Sequence, residues 1–573
     1  MKRTLMAARR FLVVLIALLV GCGLGWLLLH VLAPGGWTLA KSVMLAAFIG
    51  TAPWTGLCAA NALIGFTILM VSRDPVRAVC PLPVRPPRVP GRTAIVVTIR
   101  NEDMLRVMPP LRRLLTGLDL SGAGDAFALF ILSDTSAELA ADEELAVAAL
   151  AAQDRDPSRI RYRRRGTNTG FKAGNIMEFL DHHADGFEFM LTLDADSEMS
   201  ADAVLRLLAT IQAEPTLAIV QHLTVGLPAA SAFPRLFQFG MRAGMRIWAT
   251  GQAWWQGDEG PYWGHNAIVR IGPFRAFCRL PTLPDGRHIL SHDQIEAAVL
   301  RGAGWGVRVL PEEDGSREAN PPALPEFLRR ELRWLAGNMQ YWHLLRLPGL
   351  RPMGRWQLVQ AILLFAGTPL YLVFLLAAAT AAATDPVSSF PAHWALVLSL
   401  AWPGALYSPK LLGYAAVMLM PAKYTRYGGP ARFAFGAGAE FAFTLLMDAI
   451  SAVAKAAAML RLAFGASAPW KPQNRDDRGV GWLEAARLLW LQTLLGVVVF
   501  AGFADAGWVA ALWATPFAGG LLVAIPFCVW TANARVGQWM HDHRIAAIPE
   551  ELIRSHEQIP VLIVGFQPQE QAD

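Results

Sequence analysis

Charged side chains are scarce in this chain. Asp, Glu, Lys and Arg make up 17% of its 573 residues, where a soluble enzyme carries about a quarter. Hydrophobic residues make up 54% and the mean hydropathy is +0.35. Together these values argue against an ordinary soluble protein, and the clustering of the apolar residues points to an integral membrane protein. Cysteine is scarce as well. Cys22, Cys58, Cys80, Cys278 and Cys528 form no C-x-x-C pair, and three lie in apolar runs. That excludes a disulfide framework and a cysteine zinc site. Internal repeats and low-complexity segments are absent. The formal net charge of +6 sits mainly in short segments beside apolar ones. It reads as an orientation signal and as contact with anionic membrane lipids, not as nucleic-acid binding.

The apolar runs come in two blocks. Spans are expected near 11–33 and 42–71, making 1–80 an N-terminal membrane unit. The first apolar run is too long for a typical cleaved signal. Basic residues flank both ends of this pair, which places those flanks in the cytoplasm. The Pro-rich stretch 81–90 cannot form a long helix and reads as a linker. In the second block, 351–535, spans are expected near 356–380, 391–420, 486–504 and 508–530. The segment 435–464 is apolar but carries Glu440, Asp448, Lys455 and Arg461. Charge at mid-bilayer is costly, so this segment is expected to lie in the interface. The count is then six spans with both termini and the tail 536–573 inside, or eight if 435–464 or the stretch holding Pro403 and Pro409 is split in two.

Between the blocks, 81–350 is polar and alternates short β-like runs with helical patterns. Strands are expected over 93–100, 126–134, 187–196 and 216–222, and helices over 102–117, 137–153, 172–184 and 200–213. This is the α/β pattern of a largely parallel, Rossmann-like sheet, in which ligands bind beyond the carboxyl ends of the strands. Asp134, Asp194 and Asp196 all fall at such ends and are expected to converge.

These residue types suit transfer from a nucleotide sugar. A diphosphate leaves only if its developing charge is neutralised, and a hard divalent cation held by carboxylates does this. Asp194 and Asp196 are the candidate metal residues, against a solvated turn or helix cap. Asp134, aided by Asn101 and Glu102 in the "IRNED" turn, is a candidate for the nucleoside, against an Asx-turn. Lys172 and Arg333 are candidates for the diphosphate. Asp293 is the candidate general base toward an acceptor hydroxyl, against a helix N-cap; His292 is its neighbour. One base and no protein nucleophile means a single displacement, which inverts the anomeric centre. For the acceptor sugar, Trp334 and the segment 248–266 offer stacking surfaces. In that segment Gly and Pro argue against a continuous core helix, and Trp254, Trp255, Tyr262, Trp263 and His265 are the candidates.

Taken together, the motifs resemble glycosyltransferase family 2, the processive membrane group that includes cellulose and hyaluronan synthases. The family pattern D, D-x-D, [TE]-D and Q-x-x-R-W corresponds to Asp134, Asp194-Ala195-Asp196, His292-Asp293 and "RELRW", with Arg330 in place of Gln. "FKAGN" matches as well. The strings "YWGHNAIVRI", "HILSHDQIEAAVLRGAGWGV", "ELRWLAGNMQYW", "SPKLLGY" and "WKPQNRDDRG" are similar to the branch that builds osmoregulated periplasmic glucans. The resemblance implies a cytoplasmic GT-A domain inserted between transmembrane helices of the bacterial inner membrane. It implies UDP-glucose as donor, Mg2+ or Mn2+, a growing β-glucan chain with β-1,2 linkage that is helped across the membrane, and "WKPQNRDDRG" as a mobile lid. Acyl carrier protein and periplasmic glucan-processing proteins are the partners it implies. Another β-linked polymer, or transfer of one sugar to a lipid, is the alternative. The chain starts almost directly with a span, so partner contacts made by a longer N-terminal extension are not expected. The segment after the last span is too short for a nucleotide-sensing β-barrel, so regulation of that kind is not expected either.

Overall fold

The computed structural model describes residues 2–81, 91–385, 390–465 and 478–552. The linker 82–90, most of "WKPQNRDDRG" and the tail from 553 lie outside the described residues.

The polar region folds around a seven-stranded sheet in the order β3-β2-β1-β4-β8-β6-β9. These are β1 (Thr93–Ile99), β2 (Phe127–Ser133), β3 (Ile160–Arg164), β4 (Phe189–Asp194), β6 (Leu217–His222), β8 (Ala267–Arg270) and β9 (Gly306–Leu310). β1 pairs in parallel with β2 and β4, and β2 with β3. β8 runs antiparallel between β4 and β6, so the sheet is mixed rather than wholly parallel. A three-stranded ribbon joins β5 (Glu198–Met199), β10 (Ser316–Glu318) and β7 (Val225–Gly226) beside it. Both faces of the main sheet are covered. In β1, Ile95, Val97 and Ile99 enter one core while Ala94 and Val96 enter the other. That explains why the strand reads as a continuous apolar run. The four expected strands and the four expected helices are all present within a few residues of their expected bounds.

Among the described residues five helices are long and apolar enough to cross a membrane: Lys2–Leu32, Leu39–Val71, Pro352–Thr384, Pro430–Ala463 and Trp482–Asp505. A sixth is counted if Trp508–Leu522 and Ala524–Thr531, bent by 60°, form one span. Two expectations differ from this arrangement. The stretch 391–420 is two shorter helices, Ala392–Leu406 and Ser408–Met418, that meet at Tyr407. The segment expected to lie in the interface belongs to one helix of 34 residues, Pro430–Ala463. Three of its charges, Glu440, Asp448 and Lys455, are met by partners, most of them distant in sequence. Glu440 is fully buried and accepts hydrogen bonds from Lys410 Nζ and Thr444 Oγ1, both at 2.6 Å, and from the Tyr414 hydroxyl. Asp448 accepts from Tyr407 Oη at 2.9 Å, and Lys455 pairs with Glu331 at 3.0 Å. Pairing of this kind removes most of the cost on which the interfacial expectation rested.

The catalytic-type domain is joined to the apolar helices by Ala232–Gln256, which packs against Leu39–Val71 and Ser408–Met418. The crossing is close because of two glycines. A Cβ at Gly65 would stand 2.1 Å from the Ile247 carbonyl oxygen, and one at Gly251 the same distance from that of Asn61. Small residues allow such backbone approach between apolar helices.

Candidate active site

The carboxyl ends of β1, β2 and β4 form one edge of a polar cleft. At the end of β4, Asp194 receives the ammonium of Lys172. Lys172 lies in the first turn of the helix Phe171–His182, whose cap is Gly170 at φ +70°. The same ammonium donates to the Gly264 carbonyl at 2.9 Å. Gly264 has φ +85°, and a Cβ there would stand 3.5 Å from Cβ of Asp293 and 3.9 Å from its Oδ2. Asp194, Lys172, the Gly264 backbone and Asp293 thus follow one another across the cleft, although they come from four separate segments.

Asp293 is the first residue of the helix Asp293–Gly302 and accepts from Ser291 Oγ at 3.2 Å. Behind it, His292 Nδ1 and Glu296 Oε2 stand 2.9 Å apart and are buried. Burial opposes charge on His292, yet the Glu296 carboxylate raises its pKa. The loop bearing Asp293 is clamped from the following helices. Tyr341 Oη donates to the Ser291 carbonyl at 3.0 Å, and Gln340 Oε1 accepts from the Leu290 N–H at 2.8 Å.

Asp196 lies two residues beyond the end of β4. Its charge is felt at both His265 and Arg330. His265 Nε2 stands 3.4 Å from Glu318 on β10. Burial disfavours the charged imidazole, but the Glu318 and Asp194 carboxylates outweigh it and raise its pKa. Arg330 is buried, and its guanidinium lies 4.6 Å from the centre of the Trp334 ring. Burial lowers its pKa, against Glu331, Glu318 and Asp196. Arg330 is therefore a buried cation that stacks on the nearby Trp334. Trp334 is 43% exposed, so one part of its ring is open to a ligand, and Arg333 beside it is half-buried.

At the end of β2, Asp134 is held by Arg165 in a two-pronged pair at 2.6 and 2.8 Å. Asn101 at φ 55° is tied to the same loop. Its N–H donates to Thr135 Oγ1 at 2.7 Å and its Oδ1 accepts from the Ser136 N–H at 3.1 Å. Glu102 is next to it, half-buried.

Part of the expected aromatic platform is not at the cleft. The helix Ala232–Gln256 runs unbroken through Gly251, because Gly251 serves close helix packing and not a turn. Trp255 is 3% exposed and donates from Nε1 to Asn61 Oδ1 at 2.8 Å. Trp254 lies under the Arg9 guanidinium, 4.8 Å from its ring centre. Both belong to the packing of the first two helices. Tyr262 is fully buried beside Thr192. Trp263, half-buried, and His265 flank Gly264 at the cleft. Arg165 and Glu318 were not singled out from sequence; both sit in charged runs that carry no spacing signal.

Comparison with known proteins places the chain in a family. The model of "Glycosyl transferase family 2" matches residues 94–278, and that of "Glycosyl transferase family group 2" matches 189–418. The glucans biosynthesis glucosyltransferase H of Rhodopseudomonas palustris is 34% identical over 88% of this chain and 72% of its own length. That of Caulobacter vibrioides is 32% identical over 95% of this chain and 85% of its own. Among solved structures, a mannosyltransferase from Pyrobaculum calidifontis in complex with GDP-Man and Mn2+ aligns with 66% of this chain and 98% of its own. The identity is 16% and the TM-score 0.43.

Proposed function

Because this chain belongs to glycosyl transferase family 2, with the glucans biosynthesis glucosyltransferases H, we propose that it transfers glucose from UDP-glucose to a growing β-glucan. The domain is GT-A-like and is joined to a multi-pass set of apolar helices. Glucan synthesis follows from the family. The donor, the inverting course, the β-1,2 linkage, the inner-membrane location and assistance in export are the finer reading. The observation that supports transfer with Asp293 as base is the Lys172 ammonium shared by Asp194 and the Gly264 carbonyl, with Asp293 beside Gly264. A donor-side carboxylate and a candidate base are thereby separated by one residue.

In this reading Asp134, Asn101 and Glu102 border the nucleoside. Lys172 and Arg333 face the diphosphate, and Trp334, Trp263 and His265 border the acceptor sugar. Asp293 accepts the proton of the acceptor hydroxyl while its oxygen attacks C1 of glucose. The C1–O bond to UDP breaks with its electrons, and the anomeric configuration inverts. The donor set at Asp194 and Asp196 suits Mg2+ or Mn2+: hard oxygens at a half-open edge, to be completed by substrate phosphates and water. Among the described residues no group of three or more His, Cys, Asp or Glu is placed to hold a metal ion. When bound, such an ion neutralises the leaving diphosphate.

Incubation of the purified full chain with radiolabelled UDP-glucose and Mg2+, followed by linkage-specific glucanase digestion, tests this reading. A polymer cut by a β-1,2-glucanase supports it. A product resistant to that enzyme, or label in a lipid fraction, favours another polymer or a lipid acceptor.

A further inference from the structure

A second polar cleft lies at the junction of the catalytic domain and the apolar helices, outside the site described above. Its lining includes Leu69 near the end of Leu39–Val71, a helix long and apolar enough to cross a membrane, and Val417 near the end of the short helix Ser408–Met418, both buried. It also includes Arg242, Arg246, Lys423 and Arg426. Four cations brought together need counter-charge, and the protein supplies only part of it. Arg246 reaches Glu313 at 3.3 Å, and Arg426 reaches the exposed Asp314 at 3.6 Å. Arg242 reaches Glu550 at 2.6 Å with one nitrogen. Its other two, Nε and Nη2, are buried with no hydrogen-bond partner among the described residues, although the side chain is 2% exposed. Unmet buried N–H groups of a guanidinium are costly. Lys423 makes no ion pair among the described residues. Burial first, then Arg246, pushes its pKa down to about 8, as expected for a cation held among cations.

We infer that this cleft binds the phosphate of an anionic phospholipid, the phosphate meeting Arg242 and Lys423 at the end of the Leu39–Val71 helix. One observation favours a lipid over a soluble phosphate: the cleft lies at the end of Leu39–Val71, a helix long and apolar enough to cross a bilayer, which is the depth at which headgroups lie. A basic cleft between such helices is a recognised way of holding a lipid headgroup. The site is separate from glycosyl transfer and does not depend on the donor assigned above.

Native mass spectrometry of the detergent-purified full chain, with added phosphatidylglycerol or phosphatidylcholine, tests this. Phosphatidylglycerol is expected to stay bound at about tenfold lower concentration than phosphatidylcholine, by two or more cation contacts. K423Q and R426Q, at partly exposed positions that spare the buried Arg242–Glu550 pair, should each weaken phosphatidylglycerol about fivefold and leave phosphatidylcholine unchanged. R242Q should weaken it more, with circular dichroism checking the fold. Equal binding of the two lipids, or unchanged phosphatidylglycerol binding by the K423Q/R426Q double variant, overturns the inference. Displacement of phosphatidylglycerol by micromolar inorganic phosphate also overturns it, because the occupant is then a soluble anion.

Discussion

Lys172 is hydrogen-bonded to Asp194, the last residue of β4. The pair sets an ammonium against the carboxylate on the proposed donor side of the cleft. Lys172→Met is expected to lower kcat/KM for UDP-glucose by ~10²-fold, since the leaving diphosphate loses a preorganised cation. Steady-state kinetics of UDP release at saturating acceptor checks this. An unchanged kcat/KM removes Lys172 from the donor site.

Asp134 and Arg165 form a buried pair, with side chains 7% and 4% exposed. Arg165 also donates to the carbonyls of Thr169 and Phe171, so it shapes the loop that delivers Lys172. Arg165→Leu leaves a buried carboxylate unpaired. It is expected to cost about 3–5 kcal/mol of stability and to weaken UDP binding. Thermal unfolding and UDP titration of the variant measure both effects, and Arg165→Lys should recover part of the first.

Arg330 stacks on Trp334 within the motif that includes Arg333. Arg330→Met is expected to release the indole and raise the acceptor KM about tenfold, the effect of losing a desolvated cation–π contact, with kcat little changed. Initial rates across a series of glucan primers decide this. A fall in kcat at constant KM would instead assign Arg330 to the transferring sugar.

His222 gives a pH signature. It is fully buried on β6, its Nδ1–H donates to the Leu223 carbonyl at 2.7 Å, and Nε2 has no partner among the described residues. Burial pushes its pKa down to about 4, below the ~6.5 of an unfolded chain. A depressed folded pKa gives stability that is present above pH ~6.5 and is lost as pH falls toward 4, on the order of 3 kcal/mol. His222→Gln should flatten that acid limb when Tm is followed between pH 7 and 4.5.

Much of this was legible in the sequence, for physical reasons that differ by element. β1, β2, β4 and β6 are buried on both faces and read as continuous apolar runs. β3, "IRYRR", is an edge strand whose charged side chains hide it, and β8 is short. Asp194 and Asp293 could be singled out as candidates because each sits at a clear local signal, a strand end and a helix start. Arg165 and Glu318 were not, because their role comes from pairing across the fold. Trp255 misled because an aromatic-rich segment looks alike whether it stacks on sugar or packs against Asn61. The partners of the charges in Pro430–Ala463, Lys410, Tyr407 and Glu331, are likewise invisible in a linear reading.

The central claim is that Asp293 is the base of a glycosyl transfer whose donor is held on the other side of Gly264. Two quantities measured together on purified Asp293→Asn test it: the rate of glucan elongation from radiolabelled UDP-glucose, and the Kd for UDP. The account predicts that elongation falls ~10²–10⁴-fold, the usual range for losing a general base, while UDP binding stays within about threefold of the native value. Elongation at the native rate, or loss of UDP binding in step with activity, would contradict it.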